Sequence, residues 1–153
     1  YAMERLAVDA PAIWAVLTVE TAGCGFLADR RPKILFERHV FSRRTGRRFD
    51  AVDPGVSHPK AGGYGAGGAN QYARLARAMQ LDADEALKSA SWGLGQIMGF
   101  NAEVVGYDTP ADMIDAFRDS EDHQIAAMMG FVVQEGLAGH LRSRRWADFA
   151  RGY

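Results

Sequence analysis

The sequence predicts an α+β domain that is mainly α, and three observations carry that reading. Apolar residues recur at helical spacing in segments opened by capping residues. Only two short stretches, Ile34-Leu-Phe-Glu37 and the end of Ser91–Gly99, read as extended. Between the helical segments lies a long glycine-rich passage, residues 50–70, with Pro54, Pro59 and the run Gly62-Gly-Tyr-Gly-Ala-Gly-Gly68. The expectation is one helical domain of 153 residues with a small irregular or strand-bearing lobe between about 26 and 69.

The elements follow in order. Asp9 before Ala10 and Pro11 is a helix start, a capping acid followed by proline in the first turn. That helix runs through Ile13, Val16 and Leu17 to Glu20, and Gly23 and Gly25 end it. Its apolar residues cover most faces, the pattern of a central helix. Arg38 to Thr45 reads as a short helix closed by Gly46. A helical pattern from Asn70 to Ala90 puts Tyr72, Leu75, Ala76 and Met79 on one face and is interrupted by acids before Leu87. Ser91-Trp-Gly-Leu-Gly-Gln-Ile-Met-Gly99 reads as a turn leading into a short extended piece. Helices are expected at about 101–106, 110–118, 120–135 and 144–151, with Pro110, Asp112 and Ser120 as start signals.

Bulk properties exclude several classes. A formal net charge of −1 lacks the basic surplus of a general nucleic-acid binder. The single cysteine, Cys24, excludes an internal disulfide. No apolar stretch approaches a membrane span of roughly 20 residues. The first residues lack the layout of a signal peptide. A start without methionine and an end at Tyr153 agree with a domain excised from a longer parent.

Glu20 has an address that suggests chemistry. It extends the Ile13, Val16, Leu17 stripe and is followed at once by glycines, so its carboxyl sits at the end of an apolar run. A helix C-terminus disfavours an acid, and burial disfavours its charged form, so such a glutamate stays protonated near neutral pH and can donate a proton. The alternative, a helix-end charge held by a nearby arginine, stands beside it.

Three blocks then fit together: Val19-Glu20-Thr21 with Gly23 and Gly25-Phe26; Pro32-Lys-Ile-Leu-Phe-Glu-Arg-His39 with Phe41; and Ala90-Ser-Trp-Gly-Leu-Gly-Gln-Ile-Met98. In this order they resemble the N-acetylmuramidase catalytic domain of bacteriophage and prophage endolysins, over nearly the whole chain. A glutamate closing a helix, with a later Gly-Leu-x-Gln segment, is more distantly similar to goose-type lysozymes and lytic transglycosylases. The resemblance implies a lysozyme-like fold with a helical lobe, a small second lobe and a glycan-binding groove between them. It makes Glu20 the general acid and Gly93, Leu94, Gly95 and Gln96 substrate-lining. It also implies that Tyr153, in Ala150-Arg-Gly-Tyr153, faces the groove.

Glycosidic cleavage needs a protonated leaving oxygen and, in a hydrolase, a second carboxylate. Candidates for the second are Glu37, Asp29, Asp50 and Asp53, with Glu37 preferred because it lies in the second block on a short element. Glu37 also reads as a structural partner of Arg38 or His39. Trp92 reads either as a face for sugar rings or as core, Asn101 is expected to meet polar substituents, and Tyr64 to close over substrate from the glycine-rich loop. Phe100 is expected in the core. Gln96, between Leu94 and Ile97, needs a hydrogen-bond partner if buried.

Other chemistries have less behind them. No local signature places His39, His58, His123 or His140 beside Cys24, which reads as a small buried residue, and no paired zinc-ligand spacing occurs. The basic runs Arg43–Arg48 and Arg142–Arg145 read as solvated faces able to attract anionic wall polymers. The expected activity is hydrolysis of the β-1,4 bond between N-acetylmuramic acid and N-acetylglucosamine, without metal or cofactor, by a single catalytic domain over 1–153. The alternatives are a lytic transglycosylase giving 1,6-anhydro ends and a non-catalytic peptidoglycan-binding module. The expected partner is the peptidoglycan glycan strand, met by a monomer made in the host cytoplasm and released to the wall.

Overall fold

The structure, a computed structural model, describes residues 6–20 and 23–153. Within the first helix the side chains of Ala10, Trp14, Leu17, Val19 and Glu20 lie outside that description. Helix α1 spans Ala10–Glu20 and buries Ala12, Ile13 and Val16. Asp9 opens it as expected, its Oδ1 accepting the Ala12 N–H at 3.0 Å.

Strand β1, Ile34–Phe36, follows a short hairpin in which Phe26 bridges Pro32 and Lys33 N–H donates to Gly25 O. Helix α2 is Arg38–Arg44, and Gly46 beyond it takes a positive φ of 61°. The glycine-rich passage contains turns only, before α3 (Asn70–Leu81) and α4 (Ala83–Lys88). The acidic break between these two helices is a cap: Asp82 accepts the Glu85 N–H at 3.1 Å.

The segment from 90 to 98 is a hairpin, β2 (Ala90–Trp92) and β3 (Ile97–Met98), which completes an antiparallel sheet of order β1-β2-β3. The small lobe is therefore not confined to 26–69; two of its three strands come from beyond α4. A 3-10 turn at Gly99–Asn101 stands where a helix over 101–106 was expected. Gly99 and Gly106 (φ +96°) bracket a segment too short to repay helix nucleation. Helices α5 (Pro110–Asp119) and α6 (Glu121–Gln134) are capped by Thr109 and Ser120. Two further helices follow, α7 (Ala138–Arg142), which the pattern did not predict, and α8 (Trp146–Gly152).

Two apolar clusters hold this together. One joins the sheet to α2–α5 through Ile34, Phe36, Phe41, Leu75, Trp92 and Phe117. The other gathers Leu6, Val16, Met128, Val132, Leu141 and Phe149. Helix α6 belongs to both, giving Ala127 to the first and Met128 and Met129 to the second. Among the described residues no helix is long and apolar enough to cross a membrane.

Candidate active site

The sheet register decides which residues can face substrate. Ile34 pairs with Trp92, and Trp92 with Ile97; all three are buried against the first cluster. Alternation then puts the neighbouring row, Leu35, Ser91 and Met98, on the opposite face. Two residues past Leu35, Glu37 follows β1 on that face and occupies the position before α2. Its backbone N–H donates to Ser89 O at 2.9 Å, which fixes where its side chain starts.

The Glu37 carboxylate is 16% exposed and lies between two neutral-capable groups. Tyr64 donates its phenolic O–H to Oε1 at 3.2 Å, and His39 Nδ1 stands 3.1 Å from Oε2. Burial, then the hydrogen bond to Glu37, pushes the Tyr64 phenol up from its ordinary value. Tyr64 is delivered by a pinned loop. Gln71 Nε2 donates to Tyr64 O and Ala66 O, both at 2.8 Å, and Arg74 donates to Tyr64 O and Gly55 O. Gln71 is itself buried, and its Oε1 accepts the Phe36 N–H at the end of β1. Burial, then the neighbouring Arg38 and Arg77 charges, pulls Arg74 below the ordinary arginine value, while Glu37 opposes them.

The other carboxylate candidates are committed elsewhere. Asp29 takes Arg31 at 2.6 and 3.0 Å, and Asp53 takes Arg77 on both oxygens. Asp50 accepts Ser57 Oγ at 2.6 Å, and the hydroxyls of Ser57 and Ser42 hold its carboxyl below the usual range.

At the far end of the hairpin, Gly93–Gln96 forms the turn. Gly93 (φ +69°) and Gln96 (φ +48°) adopt the left-handed region. Gln96 offsets its strain by closing the turn on itself: Oε1 accepts Ser91 Oγ and Nε2 donates to Gly93 O, both at 2.8 Å. Gln96 is exposed, so its partners organise the turn rather than satisfy a buried amide. A pocket of about 210 Å³ opens beside it, lined by Gly95, Gln96, Met98, Asn101, Phe131 and Tyr153. Tyr153 is placed by stacking on Phe149 and by donating its O–H to Gly95 O at 2.9 Å.

Helix α6 ties this turn to the segment that follows Glu20. Gln124, 0% exposed, accepts the Leu94 N–H at 2.7 Å and donates to Phe117 O at 2.9 Å. One turn earlier, Glu121 Oε1 accepts the Gly25 N–H at 2.5 Å. A Cβ on Gly25 would fall 1.9 Å from Gln124 Oε1, and one on Gly93 would fall 2.8 Å from its amide carbon. Only glycine fits on either side of this amide.

The expected site residues divide accordingly. Gly95, Gln96, Asn101 and Tyr153 share one pocket, and Tyr64 touches Glu37. Gly93 and Leu94 turn inward to Gln124 instead of lining the pocket. Trp92, 1% exposed, is core: its Nε1 donates to Leu87 O, and it walls a separate apolar pocket of about 240 Å³ with Tyr72, Leu75 and Ile114. The register forces this, because Trp92 and Ser91 occupy opposite faces. Phe100, expected in the core, is 40% exposed under the Arg44 guanidinium. Cys24, expected to be buried, is exposed. The Glu20 side chain and Thr21 lie outside the described residues. His39, Gln71, Arg74, Glu121 and Gln124 were missed; each acts across more than local sequence except His39, which the second block already contained. Among the described residues no three His, Cys, Asp or Glu side chains are grouped to hold a metal.

Comparison with known proteins gives these elements a context. No curated protein matches the chain. The crystal structure of Burkholderia AP3 phage endolysin superposes with a TM-score of 0.93 at 44% identity, covering 99% of this chain and 59% of that one. This chain thus spans about three-fifths of the endolysin's length. The expected α+β, lysozyme-like class holds. The N-acetylmuramidase family model matches residues 9–153, and the chain belongs to the N-acetylmuramidase family of glycoside hydrolases.

Proposed function

We propose that this domain hydrolyses the β-1,4 bond between N-acetylmuramic acid and N-acetylglucosamine in peptidoglycan, with Glu20 as the general acid. The observation that carries the proposal is the tie through α6: Glu121 and Gln124 hold together the segment leaving the Glu20 helix and the Gly93–Gln96 turn. A rigid link of that kind suits an acid that must meet a sugar oxygen at a fixed place. Glu37 activates the water that attacks the anomeric carbon. It is the candidate carboxylate held by a phenol on one oxygen, with its other oxygen buried beside the His39 imidazole, rather than taken up by a serine or an arginine. Gly95, Gln96, Asn101 and Tyr153 receive sugar substituents in their shared pocket. No cofactor enters this scheme. Residues 1–153 act as one monomeric catalytic domain of a longer endolysin, made in the host cytoplasm and admitted to the wall through a separate membrane lesion.

Glu20→Gln tests the assignment, since it keeps shape and removes the transferable proton. Release of reducing ends from purified sacculi is expected to fall by at least about 10²-fold, with the circular-dichroism spectrum unchanged. A folded Glu20→Gln protein with near-normal turnover refutes Glu20 as the acid. Products lighter by one water, with 1,6-anhydro ends, refute hydrolysis.

A further inference from the structure

The arginine run that follows Glu37 is divided by the fold into two pairs. Arg44 and Arg48 turn toward α4 and its cap, pairing with Glu85 at 2.5 Å and Asp82 at 3.0 Å. Arg43 and Arg47 turn the other way. Neither makes an ion pair among the described residues, and both line a pocket of about 370 Å³ with His39, Ser42, Gly46 and Pro59. Arg47 reaches it from a left-handed backbone (φ +63°), held there by its N–H donating to Ser42 O at 2.7 Å. That conformation costs a non-glycine residue energy, and here it turns the chain so that Arg47 joins Arg43 at one pocket. The carboxylate whose charge is felt by Arg47 is Asp50, which does not line the pocket and whose Oδ1 accepts from Ser57 Oγ. His39 forms the wall shared with the site, since its Nδ1 stands 3.1 Å from Glu37.

The geometry points to an oxyanion subsite at Arg43 and Arg47 that takes a carboxylate of the peptide stem carried by muramic acid. The inference rests on the reading of this domain as a peptidoglycan-cleaving one. Two guanidiniums without ion-pair partners suit a carboxylate, which each can grip with paired N–H donors. The volume admits one or two amino-acid residues. His39 joins the two places, since it lines this pocket while its Nδ1 stands 3.1 Å from Glu37, so a substituent of a sugar held at Glu37 has the pocket beside it. Substrate choice then depends on what the sugar carries as well as on the sugar.

Soluble, uncrosslinked peptidoglycan strands, with stems intact or removed by an amidase, test the subsite. The strands carry no polymer phosphate, so carboxylates are the only oxyanions offered: the intact strand presents those of the stem, whereas amide hydrolysis by the amidase leaves only the lactyl carboxylate on muramic acid. The wild-type KM for stem-bearing strands is expected to lie about tenfold below that for stripped strands. In Arg43→Gln/Arg47→Gln that ratio falls toward one, with kcat on stem-bearing strands kept within about twofold. Arg144→Gln/Arg145→Gln, an equal charge loss elsewhere, leaves the ratio as it was. An unchanged ratio in the first variant, or an equal fall in the second, overturns the subsite; the latter marks general attraction to an anionic polymer. Titration of the free tripeptide L-alanyl-D-glutamyl-diaminopimelate into the Glu20→Gln protein by calorimetry needs no turnover. Binding there that the arginine variant abolishes supports the subsite, and absence of binding overturns it. If the wild type cleaves neither strand, the muramidase reading fails and the titration alone decides the subsite.

Discussion

Glu37 and Tyr64 stand 27 positions apart in the chain, and their contact shows how one side chain is aimed by groups distant in sequence. The Tyr64 backbone is fixed through its own carbonyl, which accepts from Gln71 and Arg74, and the phenolic O–H is spent on Glu37. Tyr64→Phe keeps those backbone bonds and removes only the donor to Glu37. The expected outcome is a fall in kcat of about tenfold, the worth of one hydrogen bond to a charged group, with the melting temperature nearly unmoved. A large loss of thermal stability in Tyr64→Phe, found by calorimetry, would show that the phenol holds the loop instead. At this scale the sequence was informative about residue type and less so about direction. Glu37, Gln96 and Tyr64 are recognisable as polar groups in unusual settings. Trp92 is as suggestive in composition, yet one step of strand register sends it into the core.

The elements around the turn show a tighter constraint. The first turn of α6 holds two separate loops through Glu121 and Gln124, and glycines at 25 and 93 leave room for the Gln124 amide. Gly25→Ala puts a methyl where that amide oxygen lies. The expected cost is about 2–3 kcal/mol from overpacking and a displaced hydrogen bond, lowering Tm by roughly 5–10 °C. Differential scanning calorimetry measures it, and a Tm within a degree of wild type would mean that the amide can relocate without loss. These glycines were legible as helix and turn punctuation, but their second role was not. It depends on a side chain 99 positions beyond Gly25 and 31 beyond Gly93, which no local pattern contains. The hairpin at 90–98 was half legible for a related reason: two- and three-residue strands have too little alternation to declare a partner.

For the molecule as a whole, the glycine-rich passage is held by its neck rather than by internal helix or strand. Asp53 to Arg77, and Gln71 and Arg74 to the Tyr64 carbonyl, anchor it to α3, while Asp50 to Ser57 closes its neck on itself. Part of this anchoring depends on pH. Hydrogen bonding from Ser57 holds the Asp50 carboxyl below its ordinary value in the folded state. A folded-state pKa below the unfolded one contributes stability that is complete above about pH 4 and drains away as pH falls through the folded value. Ser57→Ala is therefore expected to lower stability at neutral and alkaline pH alike, with the deficit shrinking as pH falls below about 4, in urea unfolding followed by tryptophan fluorescence. A deficit that stays the same down the acid limb would mean that Asp50 titration contributes nothing to the neck. Most of the helices were legible because start signals such as Asp9, Pro110 and Ser120 act within three residues, whereas α7 was not. The sharing of α6 between two apolar clusters was not, because both of its faces are apolar and sequence alone does not say which face meets which neighbour.

Cys24 lies four positions past Glu20, beside the glycine whose N–H Glu121 holds, and it is the chain's one cysteine and is exposed. It therefore gives the protein a ready attachment point at the exit of its first helix. A maleimide dye or nitroxide would couple there and nowhere else, without any thiol having to be removed first. The emission or line shape of such a label would report whether this corner stiffens as a glycan strand arrives.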